Sequence, residues 1–122
     1  MKILVVEDDS FFRNYFTTKL TENGFQVESA VDGEEALVKI NAGKPDLILL
    51  DIIMPKKDGF EVLKSLTVDN LINTLPVIVF STLGQEDDVK KALSLGARDY
   101  INKSLFDFNV ILAKINQQLA PK

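Results

Sequence analysis

The chain has 122 residues, a formal net charge of −4, and neither cysteine nor histidine. Because thiols and imidazoles are missing, the sequence excludes disulfides, zinc sites built from Cys or His, Ser-His-Asp triads and phosphohistidine carriers. The acidic balance and the lack of a basic stripe predict that neither nucleic acid nor an anionic membrane surface is a partner.

The hydrophobic content of 46% is typical of one globular domain, which we assign to residues 1–122. No apolar run approaches the length of about 18 residues that a membrane span needs. The first residues run directly into an apolar strand, which leaves no room for a signal peptide. We therefore expect a soluble, cytoplasmic protein.

Short apolar runs alternate along the chain with stretches of helical period. The runs predict five β-strands at residues 3–6, 26–30, 47–50, 77–80 and 99–102. Apolar residues at intervals of three and four predict five helices around residues 12–20, 36–40, 60–66, 89–95 and 108–119. Gly24, Gly43 and Gly96 follow the first, second and fourth helices, where a left-handed residue is expected. This alternation predicts an α/β fold, a three-layer αβα sandwich with a parallel sheet.

Polar side chains stand at the ends of four predicted strands: Glu7, Asp8 and Asp9 after the first, Asp51 after the third, Ser81 after the fourth and Lys103 after the fifth. In an open parallel sheet these ends meet at one edge. Two carboxylates about 4 Å apart repel each other by about 4 kcal/mol at an effective dielectric of about 20, so we expect a cation among them. Carboxylate oxygens suit Mg²⁺, which predicts a metal site.

Each of these residues also has an ordinary structural interpretation. Asp51 and Ser81 belong to residue types that often begin turns or cap helices, and a single lysine such as Lys103 is usually solvated. Their convergence on one edge of the sheet favours a functional site.

Four motifs carry a resemblance to a known family: "ILVVEDD", "PDLILLDIIMPKKDGFEVL", "LPVIVFST" and "GARDYINKS". With them, the sequence resembles the receiver domain of bacterial two-component response regulators over nearly the whole chain, and in particular the single-domain chemotaxis-type regulators. The resemblance implies a flavodoxin-like strand order of 2-1-3-4-5.

The resemblance also implies a metal site and a phosphoacceptor. Asp51 matches the residue that receives the phosphoryl group, and Glu7 and Asp8 match the acidic pair that binds Mg²⁺ or Mn²⁺. The backbone carbonyl of Ile53 matches the remaining protein ligand, while Asp9 lies one position beyond the acidic pair and is expected to be peripheral.

Three further residues match positions that respond to the phosphoryl group. Ser81 and Lys103 are expected to contact its oxygens, and Tyr100 matches the aromatic switch residue of the family. The resemblance thus implies that phosphorylation changes the surface formed by the fourth helix, the fifth strand and the fifth helix. Phe106 and Phe108 add apolar area to that surface or belong to the core, and the core interpretation is favoured.

The resemblance implies a phosphoacceptor switch that assists its own phosphorylation and dephosphorylation, rather than an enzyme acting on another substrate. The phosphoryl donor is expected to be a sensor histidine kinase or a histidine phosphotransfer protein. The recipient of the signal is a downstream protein or an output domain, and a dimer that forms on phosphorylation is compatible with the family. The sequence leaves open whether the chain stands alone or is part of a longer regulator.

Two features depart from the family pattern. Most members follow the lysine with a cis proline, whereas Lys103 precedes Ser104, which leaves the conformation of that bond and the reach of the lysine open. Ile53 and Leu83 are apolar at two positions where polar side chains could orient a hydrolytic water. We therefore predict slow self-dephosphorylation.

Four other functions are compatible with a carboxylate at the end of a strand in such a fold, and three of them conflict with the sequence. An aspartate-nucleophile phosphatase would need a second acid where Ile53 stands, and a flavodoxin would bring a phosphate against Glu7, Asp8 and Asp9. An NTPase would need the motif GxxxxGK[ST], which the chain lacks. The remaining alternative is a receiver-like protein-binding module that is not phosphorylated.

Overall fold

The computed structural model describes residues 1–120, which form a five-stranded parallel sheet flanked by five helices. In chain order the elements are β1 (Lys2–Val6), α1 (Ser10–Glu22), β2 (Gln26–Ala30), α2 (Gly33–Gly43), β3 (Leu47–Leu50), α3 (Gly59–Val68), β4 (Val77–Ser81), α4 (Glu86–Ser94), β5 (Asp99–Asn102) and α5 (Phe108–Leu119). A 3₁₀ turn (Lys103–Leu105) precedes α5. The strand order β2-β1-β3-β4-β5 confirms the predicted fold.

The two faces of the sheet bury separate hydrophobic clusters. Successive strand residues point to opposite faces, so Leu4 and Val6 join one cluster while Ile3 and Val5 join the other. The first cluster includes residues of α2, α3 and α4, and the second includes residues of α1 and α5. Burial on both faces explains why the central strands are continuously apolar.

Aspartates begin four of the five helices. The side chains of Asp9, Asp32, Asp58 and Asp107 each accept a backbone N–H from the first turn of α1, α2, α3 and α5, respectively. This bond satisfies a helix donor that has no partner within the helix. At α4 the corresponding residue is Gln85, whose side chain makes no such bond.

The helix ends confirm two of three predicted glycine positions. Gly24 and Gly96 have φ of 90° and 104°. The prediction for Gly43 was wrong, because Lys44 is the left-handed residue, with φ of 45°. Gly43 instead closes α2 beneath the side chain of Lys2, whose Nζ would lie 2.8 Å from an added Cβ. It therefore provides space for a neighbouring side chain and not a left-handed turn.

Phe106 and Phe108 pack against the cluster between α1, α5 and the sheet, in agreement with the core interpretation. The Phe106 ring lies 5.9 Å from that of Phe16 and 5.8 Å from that of Phe80. Within residues 1–120, every helix is too short or too polar to cross a bilayer.

Candidate functional site

An acidic cluster forms where β1 and β3 end. The two strands are neighbours in register, with Val6 beside Leu50, so the residues that follow them come together. Glu7, Asp8 and Asp51 each offer one carboxylate oxygen, and these three oxygens lie within 4.8 Å of one another. Glu7 and Asp51 are buried, with 3% and 4% of their surface exposed, whereas Asp8 is exposed. The cluster therefore opens to solvent on the Asp8 side.

The cluster has the chemistry and the dimensions of a divalent-cation site. Mg²⁺ binds oxygen ligands at about 2.1 Å, so two ligands on opposite sides of the ion are about 4.2 Å apart. The spread of the three carboxylate oxygens is close to that distance. Ile53 follows Asp51 by two residues, and its backbone N–H donates to Oδ1 of Asp51 at 3.3 Å. These residues fit a Mg²⁺ ion with only a small adjustment of their side chains.

Lys103 lies against two members of the acidic cluster. Its Nζ is 2.8 Å from Oε1 of Glu7 and 3.2 Å from Oδ2 of Asp51, and 8% of its side chain is exposed. The Lys103–Ser104 peptide bond is trans, as are all peptide bonds of the described residues. The side chain of Asn102 accepts the backbone N–H of Ser104 at 2.9 Å and so holds the turn. The lysine therefore reaches the site without the proline of the family pattern.

Burial and charge shift the pKa values of this site. Burial raises the pKa of Glu7 to about 7, although the hydrogen bond from Lys103 opposes the shift. Burial also raises the pKa of Asp51, again against the effect of Lys103. Burial acts to lower the pKa of Lys103, but the hydrogen bond to Glu7 and the charge of Asp51 outweigh it and raise that pKa. One ammonium thus faces two buried acids, and a divalent cation would offset the charge that remains when both are ionised.

Ser81 and Tyr100 meet at the loop between β4 and α4. Ser81 is the last residue of β4 and is fully buried, and its Oγ accepts the backbone N–H of Leu83 at 3.2 Å. The hydroxyl of Tyr100, on β5, donates to the backbone carbonyl of the same Leu83. Burial raises the pKa of Tyr100. The two side chains therefore contact the same loop residue, one on its N–H and the other on its carbonyl.

The structure places Asp9 outside the acidic cluster. Its side chain caps α1 by accepting the N–H of Phe11 at 2.8 Å. Its own N–H donates to Oε1 of Glu7 at 3.2 Å. Asp9 thus supports the loop that carries Glu7 and Asp8.

Two residues that support the site were missed from the sequence. Gly59 begins α3 directly against the Asp51 backbone, because a Cβ there would lie 2.5 Å from the Asp51 carbonyl oxygen. Arg13 donates from Nη1 to the carbonyls of Glu7 and Asp8 at 3.1 and 3.2 Å. Asp58 with Glu61 three residues later is a capping-box pattern, which could have located the start of α3 at Gly59. For Arg13 the sequence held no comparable signal.

Comparison with known proteins places the chain in a family. The response regulator receiver domain matches residues 3–116. The alkaline phosphatase synthesis transcriptional regulatory protein PhoP of Bacillus subtilis is 42% identical over 102 residues, which make up 84% of this chain and 42% of PhoP. The chain thus spans about two-fifths of the length of this curated relative.

Solved structures agree with the sequence comparison. The BeF3-activated N-terminal receiver domain of Klebsiella pneumoniae RstA has a TM-score of 0.91 and 30% identity, covering 99% of this chain and 100% of that one. A chain of the CheX-CheY-BeF3-Mg²⁺ complex from Borrelia burgdorferi has a TM-score of 0.90 and 32% identity, covering 99% of this chain and 90% of that one. The chain therefore belongs to the response regulator receiver domain family.

Proposed function

We propose that this receiver domain is a phosphorylation-dependent signalling switch, and that Asp51 is the residue that accepts the phosphoryl group. The observation that carries the proposal is the buried Lys103 ammonium, which pairs with both Glu7 and Asp51 beside an acidic cluster of metal-site dimensions. We propose that residues 1–122 act as one such unit in the cytoplasm. The donor is a sensor histidine kinase or a histidine phosphotransfer protein.

The chemistry required of this site is the approach of one anion to another. A carboxylate oxygen of Asp51 attacks the phosphorus in line, the bond from phosphorus to the donor breaks, and the leaving group departs with its electron pair. The backbone N–H of Ile53 and the ammonium of Lys103 hold the two oxygens of Asp51, which orients the carboxylate for attack. Lys103 also offsets the negative charge of the incoming phosphoryl oxygens.

A divalent cation completes this charge balance. Glu7, Asp8 and Asp51 would hold the ion with their carboxylates, and the backbone carbonyl of Ile53 would be a further ligand. When bound, Mg²⁺ or Mn²⁺ supplies positive charge next to both the nucleophile and the phosphoryl oxygens. The BeF3-activated RstA domain and the complex of CheX and CheY with BeF3 and Mg²⁺ support this assignment by similarity.

The switch begins at Ser81 and Tyr100. After phosphorylation, the Ser81 hydroxyl donates to a phosphoryl oxygen, and its movement draws on the loop residue Leu83 that it already contacts. The Tyr100 ring already packs against the sheet with its hydroxyl on the carbonyl of Leu83, so a shift of this loop changes the contact that holds the ring. The position of α4 changes with the loop, which alters the surface formed by α4, β5 and α5.

The altered surface controls a downstream protein or an output domain. It does so by direct docking or by a dimer that forms on phosphorylation. PhoP is named a transcriptional regulatory protein, which makes a DNA-binding output one candidate. The receiver domain itself, with its net charge of −4, contacts protein and not nucleic acid.

The test is phosphorylation of the purified chain with acetyl phosphate and Mg²⁺, followed by intact mass spectrometry. Wild type is expected to gain one phosphoryl group, and Asp51→Asn none. Asp9→Asn is the matched control, because Asp9 lies next to the site but caps α1, and it should be modified like wild type. A wild-type chain that stays unmodified would contradict the proposal and favour the protein-binding module.

A further inference from the structure

Two aromatic rings face the Lys103 ammonium, which also pairs with Glu7 and Asp51. Nζ is 5.0 Å from the centre of the Phe12 ring and 5.5 Å from that of Phe80. Both distances are within the range of about 6 Å in which the face of an aromatic ring attracts a cation. The ammonium is thus bounded by two carboxylates and two rings.

The two rings are held firmly in place. Phe12 and Phe80 meet edge to face with centroids 5.3 Å apart, and Phe106 packs against both at 6.0 and 5.8 Å. Phe80 is 1% exposed and directly precedes Ser81 on β4. Phe12 lies in the first turn of α1, just after the loop of Glu7 and Asp8. The rings therefore come from the two segments that carry Glu7, Asp8 and the hydroxyl of Ser81.

Hydrophobic packing alone accounts for the rings but not for the position of the ammonium. A buried ammonium loses its hydration, and an aliphatic side chain next to it offers no attraction that compensates for this desolvation. The face of an aromatic ring carries negative charge density and attracts the ammonium, which offsets part of the free energy lost on desolvation. The rings also keep this attraction when a divalent cation takes up the charge of Glu7 and Asp51, because an aromatic ring is no ligand for such an ion.

We infer that Phe12 and Phe80 form an aromatic clamp that positions the Lys103 ammonium for phosphoryl transfer. The clamp keeps the ammonium at the site after the metal weakens its pairing with Glu7 and Asp51. Phe12 and Phe80 are positioning residues, since they act through Lys103. The inference rests on the proposed function, because positioning matters only if Asp51 accepts a phosphoryl group.

The first experiment varies the ring's charge distribution at nearly constant shape. Phenylalanine with one, two or three fluorine atoms is incorporated at position 12, and the rate of Asp51 phosphorylation by acetyl phosphate is measured with saturating Mg²⁺. Each fluorine weakens the attraction of the ring face for a cation. We expect the rate to fall stepwise, by roughly three- to tenfold at three fluorines, in line with the range of cation–π energies.

The matched control is the same series at Phe16. This ring is 1% exposed and lies 5.0 Å from Phe80, and no lysine faces it in residues 1–120. Fluorination there should leave the rate within about 1.5-fold, because cation–π attraction needs a cation over the ring. A rate that is flat across the Phe12 series, or that falls equally in both series, would overturn the clamp.

The second experiment does not depend on phosphorylation. Lysine acetylation of the unphosphorylated protein is followed by peptide mass spectrometry, and the rate at Lys103 is compared with and without Mg²⁺. We expect Lys103 to stay protected in wild type and in Phe12→Tyr, but to become several-fold more reactive with Mg²⁺ in Phe12→Leu. Equal protection of Lys103 in all three proteins would overturn the clamp.

The two proposals fail in different ways. If wild type gains no phosphoryl group, the proposed function is wrong, and the acetylation result alone then decides whether the rings hold the ammonium. If wild type is phosphorylated at Asp51 but both ring experiments are flat, the proposed function stands and the clamp is rejected.

Discussion

Helices α3 and α4 follow neighbouring strands and pack on the same face of the sheet, yet they are held very differently. α3 begins with a capping box between Asp58 and Glu61 and buries five residues: Gly59, Phe60, Val62, Leu63 and Leu66. α4 has no side-chain cap from Gln85, the residue that precedes it, and buries only Ala92. The helix beside Asp51 is therefore firmly anchored, and the helix beside Ser81 is not.

This difference matches the two tasks of the domain. The proposed phosphoacceptor Asp51 and the carboxylates around it must keep their geometry for that role, and Gly59 packs α3 directly against the Asp51 backbone. A responsive surface instead needs an element that moves at a small free-energy cost, which means few buried contacts. The two helices are in contact where the ammonium of Lys91, on α4, lies 4.3 Å from the centre of the Phe60 ring, on α3.

The largest expected difference in stability between α3 and α4 comes from a pair of leucine truncations. Leu66→Ala in α3 removes a fully buried side chain and should lower the free energy of unfolding by about 2–5 kcal/mol. Leu93→Ala in α4 truncates a side chain that is 44% exposed and should cost less than about 1 kcal/mol. Urea denaturation measures both, and equal losses would show that α4 is anchored as firmly as α3.

A change of pH acts on the acidic cluster that includes Glu7 and Asp51. The pKa of Glu7 is about 7 in the folded chain, against 4.5 for an ordinary solvated glutamate. A group whose pKa is raised by folding stabilises the protein most below its unfolded pKa, and this contribution is lost as the pH rises through the folded value. The free energy of unfolding should therefore fall between pH 4.5 and 7, by at most about 3 kcal/mol from Glu7.

Asp51 and Lys103 also affect the dependence of stability on pH. The raised pKa of Asp51 acts in the same direction, and that of Lys103 lies above this window. Glu7→Gln should flatten the dependence of the free energy of unfolding on pH, because the titrating group is gone. A Glu7→Gln protein with the wild-type slope would contradict the assignment.

Mg²⁺ binds the ionised carboxylates, so it should raise the melting temperature more at pH 8 than at pH 5.

The lifetime of the phosphoryl group depends on two loops, one before α3 and one before α4. Ile53 lies in the loop before α3 and is 51% exposed, and Leu83 lies in the loop before α4. Neither side chain can orient a water, so the wild-type half-life should exceed seconds by a wide margin. Ile53→Asn should shorten it by about tenfold, equivalent to about 1.4 kcal/mol in the barrier. The half-life is read from loss of the phosphorylated mass, and a wild-type value of seconds would refute the prediction.

The smallest expected effects come from the helix caps. Asp58→Ala removes the capping box of α3 and should cost about 1 kcal/mol, whereas Gln85→Ala should change stability by less than about 0.3 kcal/mol because no cap bond is lost. Gln85→Ser supplies the missing acceptor at α4 and should stabilise the chain by about 0.5 kcal/mol. Thermal denaturation separates these variants. A large loss for Gln85→Ala would mean that α4 has a cap of another kind.

The fold was largely predictable because its signals are local. Continuous apolar runs located the central strands to within one residue, since burial on both faces requires such runs. The order of the strands came from the family resemblance, because the alternation alone fits more than one winding. Gly43 was misjudged because a glycine that gives space to Lys2 has the same sequence signature as a left-handed glycine.

The groups that reach the edge of the sheet can be read from the order of residues along the chain. Glu7, Asp8, Asp51 and Lys103 each lie just after a strand, and parallel strands bring such ends together. Three features depend on how distant segments pack: Lys103 bonds Glu7 as well as Asp51, two rings lie close to its ammonium, and α4 is weakly anchored. The reason is that periodicity reports neighbours within a few residues. The bond from Lys103 to Glu7 joins positions 96 apart, and packing alone sets that contact.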